Sequence, residues 1–62
     1  MKRKKFIKHL NISGCDLLRH GSNHDIYINL KNGKKQPLPR HTEIEHDLIK
    51  HICKNLNIKS PF

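Results

Sequence analysis

A chain of 62 residues, with 13 lysines and arginines against 5 acidic residues and a net charge of +8, makes one small domain with a thin core and a strongly basic surface. It holds no apolar run of about 18 residues, which excludes a membrane-spanning helix. The basic start Met1-Lys2-Arg3-Lys4-Lys5 is not followed by an apolar stretch of roughly 7–15 residues, so no secretory leader is expected and the cytoplasm is the expected location. Charge at this density points to a polyanionic partner or to an acidic protein.

Residues 2–12 are predicted as a helix, with Phe6, Ile7 and Leu10 on one apolar face among lysines. Ser13-Gly14 ends it, Gly14 taking a left-handed conformation. Residues 15–20 read as a strand of impure alternation, with Cys15, Leu17 and Arg19 against Asp16, Leu18 and His20. Gly21-Ser22-Asn23 is a turn. Residues 24–30 form the clearest strand, with Ile26, Ile28 and Leu30 on one face and Asp25, Tyr27 and Asn29 on the other. That parity places His24 with the isoleucines, at the edge of the expected core. Asn32-Gly33 signals a tight hairpin. A third strand follows at residues 35–39, at the sheet edge because Pro37 and Pro39 lack a donor.

The last helix is expected to begin at Thr42 as N-cap, with Glu45 completing a capping box. Its apolar stripe is Ile44, Leu48, Ile52 and Leu56, widened by Ile49 and Cys53, and Asn57 is its left-handed C-cap. Residues 59–62 are a tail. Cys15 and Cys53 lie far apart and read as small buried apolar residues in a reducing compartment. His51-x-Cys53 lacks a second close pair, so no metal is expected, nor any cofactor. The predicted fold class is α+β in the order α-β-β-β-α. It is a three-stranded antiparallel meander with two helices on one face and the other face open.

Three blocks carry a family resemblance: Gly21-Ser22-Asn23-His24-Asp25-Ile26-Tyr27, then Pro39-Arg40-His41, then Glu43-Ile44 with Ile52 through Ile58. Taken in order, over about residues 6–58, they resemble the HicA toxin family. Its members are small bacterial mRNA interferases with a fold like double-stranded-RNA-binding domains. Asn23 follows Ser22 where many members read glycine-serine-histidine. His24 matches the family's catalytic histidine because His24-x-Ile26-Tyr27 keeps the strand context. Gly14-Cys15 stands where many members have glycine and an aromatic residue.

The resemblance implies a toxin that cleaves mRNA without a metal and is masked by a cognate HicB-type antitoxin. An imidazole suits that chemistry because it titrates near working pH and can take the ribose 2′-OH proton. His24 is the expected catalytic residue. Ser22, Lys34, Lys35, Arg40 and His41 are the expected RNA contacts, and His41, His20 and Tyr27 are candidates for a second acid. The alternative function is a noncatalytic double-stranded-RNA-binding module. Glu43, Glu45 and Asp47 argue against it, because they put negative charge on the helix end that such a module presents to phosphate.

Overall fold

The computed structural model describes residues 1–62. Its order is α1 (Arg3–Ile12), β1 (Cys15–His20), β2 (His24–Asn29), β3 (Lys35–Pro39) and α2 (His46–Leu56). The strands form an antiparallel sheet in the order β1-β2-β3, and both helices cover one face. No helix is long and apolar enough to cross a membrane.

The core lies between that face and the helices. Phe6 and Leu10 come from α1, and Ile49, Ile52, Cys53 and Leu56 from α2. Cys15, Tyr27 and Leu38 come from the three strands, and Ile44 from the segment before α2. Both cysteines are free and buried, and burial pushes both thiols up from their ordinary value. His51 is exposed and shares a hydrogen bond with Asn55, so it and Cys53 point to opposite sides of α2.

The face of β2 that turns inward is the polar one. Asp25, Tyr27 and Asn29 are buried, whereas Ile26 and Ile28 are only half-buried on the open face and Leu30 is exposed. This reverses the orientation that the isoleucine parity suggests. The reversal is affordable because each buried polar side chain is satisfied. Asn29 donates from Nδ2 to the Leu56 carbonyl at 2.8 Å and accepts from the Lys31 amide at 2.9 Å. Tyr27 supplies an aromatic ring to the core, and burial raises its hydroxyl above the ordinary phenol value.

Two boundaries differ from expectation. The β2–β3 connection spans residues 30–34 rather than a two-residue turn, with Gly33 at φ 73°. The helix α2 starts at His46 with Glu45 as its N-cap, and no side chain caps it, so the Thr42–Glu45 box does not form. Residues 42–44 are spent elsewhere: the Arg3 amide donates to the Thr42 carbonyl at 2.8 Å, and the Ile44 amide to the Met1 carbonyl at 2.9 Å. Backbone tied to the start of α1 cannot also open a helix.

Candidate active site

A bulge sets the geometry at the open end of the β1–β2 hairpin. The register runs Cys15–Asn29, Asp16–Ile28 and Leu17–Tyr27, then skips Leu18 and resumes at Arg19–Ile26 and His20–Asp25. An unbroken ladder would have set Arg19 opposite Asp25. The extra residue brings His20 there instead, on the helix-covered side of the sheet.

Asp25 then gathers basic side chains from three parts of the chain. His20 Nδ1 lies 2.8 Å from its Oδ1, Arg40 donates to the same oxygen from Nε at 3.1 Å and Nη2 at 2.9 Å, and Arg3 Nη2 donates to Oδ2 at 2.6 Å. The hydrogen bond from His20 first, and that from Arg40 second, hold the Asp25 carboxyl at about 2. Arg3 also donates from Nε to the Pro39 carbonyl at 3.0 Å, which fixes the end of β3.

Arg40 reaches past the carboxylate to the turn itself. Nη1 donates to the Ser22 carbonyl at 3.1 Å, and Nη2 reaches the carbonyls of Gly21 and His24. The Gly21 amide closes the turn onto the His24 carbonyl at 2.7 Å. A Cβ on Gly21 would meet that carbonyl oxygen at 2.6 Å, so this turn needs glycine for close approach, not for an unusual φ. The backbone under His24 is therefore held from both sides.

His24 is exposed at the start of β2, opposite Pro39. Its side chain emerges on the open face, in line with Ile26 and Ile28, so it is not at the edge of the core. His20 is 72% exposed at its side chain, with Nδ1 engaged by Asp25.

Among the expected RNA contacts, Ser22 is exposed in the turn and adjoins His24. Arg40 is beside it but turned inward onto Asp25 and the turn carbonyls. His41 is exposed just beyond β3. Lys35 lies opposite Ile28, on the same open face as His24 but four residues along the strand, roughly 13 Å away. Lys34 precedes it in the connecting loop, so the structure does not bring these lysines to the histidine turn. Tyr27, buried beneath the sheet, is removed from the candidates for a second acid.

Sequence reasoning did not single out Asp25 or Arg3. The available signal was an acidic residue within an apolar strand of a chain that has few acids. No family model, no curated protein and no solved structure matches the chain.

Proposed function

We propose that this chain is a metal-independent endoribonuclease: the toxin of a bacterial toxin–antitoxin pair of the HicA type, cleaving mRNA in the cytoplasm and restrained by an acidic HicB-type antitoxin. The observation that carries the reading is an exposed imidazole, His24, on a turn whose carbonyls are clamped by Arg40.

In the proposed reaction His24 takes the proton of a ribose 2′-OH. The 2′ oxygen attacks the adjacent phosphorus, the bond to the 5′ oxygen breaks, and a protonated imidazole returns a proton to that oxygen. The products are a 2′,3′-cyclic phosphate and a 5′-hydroxyl. His20, held by Asp25 on the helix-covered side of the sheet, lies across the sheet from His24, so the single imidazole of His24 carries both proton transfers in this reading. The Asp25 carboxylate is already engaged by Arg3, Arg40 and His20, which favours proton transfer by imidazole over metal binding there. The requirement for a 2′-OH selects RNA over DNA.

The alternative, a noncatalytic double-stranded-RNA-binding module, is disfavoured by α2. Its first turn follows Glu45 and contains Asp47, so the helix end nearest a groove would repel phosphate.

The test is His24→Ala. It is expected to remove RNA shortening and growth inhibition, a loss of about 10²–10⁴ in rate, while thermal unfolding stays as in the parent. Cleavage at the parental rate by the variant would overturn the assignment of His24. Loss of parental cleavage in EDTA would overturn the metal-independent route.

A further inference from the structure

We propose that the depression between the start of α1 and the segment after β3 is a phosphate subsite for an RNA strand. It is a cavity of about 320 Å³ lined by Lys2, Arg3, Lys4, Arg40 and Thr42. None of these side chains is apolar, and the lining offers four cations and a hydroxyl. Pockets for organic ligands run to roughly 300–1,000 Å³ and are mostly apolar. This one is at the small end of that range and suits a compact anion.

The charge balance points the same way. Asp25 lies against Arg3 and Arg40, and Glu43 is a loose 3.8 Å from Lys2. Four positive charges against two negative ones leave an excess of two, enough for a phosphate. Lys4 makes no ion pair.

The two arginines are fixed before any ligand arrives. Arg3 is held by Pro39 and Asp25, and Arg40 by Asp25 and the turn carbonyls. Binding therefore loses little side-chain freedom. A wider depression beside it includes Glu43 and Phe62, so it is less suited to an anion.

The subsite is physically continuous with the histidine turn. Arg40 lines the cavity and also donates to the carbonyls of Ser22 and Gly21, next to His24. It would hold a backbone phosphate of the bound strand on one side of the turn while His24 acts on the other. The identity of the strand as RNA rests on the ribonuclease reading above.

The test uses the full isotopically labelled chain and a short 2′-O-methyl oligonucleotide, which lacks the reacting hydroxyl. Amide shifts are expected at Lys2, Arg3, Lys4, Arg40 and Thr42. The double variant Lys2→Ala, Lys4→Ala is expected to weaken binding by about tenfold or more. It should also reduce the slope of log K against log salt by up to roughly 0.7, the value for one lost phosphate contact on a single strand. Lys4→Glu, at an exposed position, should act in the same direction and stands in if the double variant does not fold.

Parental affinity and salt slope in these variants would overturn the subsite. So would shifts confined to the open face around Ile26 and Ile28, or binding to anionic phospholipid vesicles with none to the oligonucleotide. The two readings separate cleanly. If the oligonucleotide maps to the cavity and the parent never cleaves RNA, the ribonuclease reading fails and the subsite stands. If the parent cleaves and the lysine variants bind and cleave alike, the subsite alone fails.

Discussion

Arg40 and Asp25 meet through two hydrogen bonds to one carboxylate oxygen, at 3.1 Å from Nε and 2.9 Å from Nη2, and the same guanidinium continues to the carbonyls of the turn before β2. One side chain therefore joins the buried end of the sheet to the exposed histidine turn. Arg40→Ala removes both connections and is expected to lower the melting temperature by roughly 5–15 °C, at about 4–8 °C for each kcal/mol in a domain of this size. RNA cleavage should fall with it, because the turn under His24 loses its clamp. Arg40→Lys restores the charge but not the planar fork, so it should recover only part of the melting temperature. Thermal melts of the three proteins check this; a Lys variant equal to the parent would show that the fork is dispensable.

Asp25 also sets a pH dependence. Its carboxyl titrates at about 2 in the folded chain, held down by the His20 hydrogen bond first and that of Arg40 second, against about 3.9 for a free aspartate. A depressed folded value means that the ionised form favours the fold. The contribution is complete above about pH 4, declines as pH falls, and is gone below about pH 2. Asp25→Asn should therefore be less stable than the parent at neutral pH and converge with it on approaching pH 2. Urea midpoints measured between pH 2 and 6 would show the two curves closing; parallel curves would rule this out.

The end of α2 offers a backbone test. Asn57 sits at φ 57° and ψ 48°, with its amide on the Lys54 carbonyl at 3.1 Å and the Ile58 amide on the Cys53 carbonyl at 2.9 Å. This paired closure satisfies two end carbonyls and folds Ile58 back against the core. Asn57→Ala forces a Cβ-bearing residue without a local polar side chain into the left-handed region and should cost about 1 kcal/mol. Asn57→Gly should stay within about 0.5 kcal/mol of the parent, since freedom at φ offsets the entropy of a more flexible unfolded chain. Urea denaturation decides the order; alanine equal to glycine would show that the left-handed cap is unimportant.

That cap was legible in the sequence, as were the strand limits Cys15–His20 and Lys35–Pro39 and the edge position of the proline strand, because each rests on local chemistry. The orientation of β2 was not. Ile26 and Ile28 outweigh Asp25 and Asn29 in hydropathy, and only the partners Arg3, Arg40 and Leu56, 15 to 27 residues away in the chain, make the polar face the buried one. The impure alternation of Cys15–His20 was the trace of the bulge at Leu18, but sequence alone could not say which residue would be left unpaired. The late start of α2 was hidden for the same reason: Thr42 and Glu45 form a good local cap, and pairing with residues 1–3 takes that backbone away. The candidate site was half visible. His24 and the turn were recognisable, whereas the ion cluster that holds them depends on tertiary approach.

The reversed face makes a sharp comparison between neighbours in β2. Asn29 is polar and buried, bonded through both ends of its amide, while Ile28 is apolar and half-buried on the open face. Hydropathy alone would rank Ile28 as the residue that matters to the fold. The geometry ranks them the other way. Asn29→Ala strips the Lys31 amide of its partner, leaves the Leu56 carbonyl only the 3.2 Å bond from Asn32 Nδ2, and should cost about 1–3 kcal/mol. Ile28→Thr keeps a β-branched side chain on a solvated sheet face and should cost less than about 1 kcal/mol. Chemical denaturation of the two variants measures both values under one set of conditions. An Ile28→Thr loss larger than that of Asn29→Ala would mean that the isoleucine face, and not the asparagine face, packs against the helices.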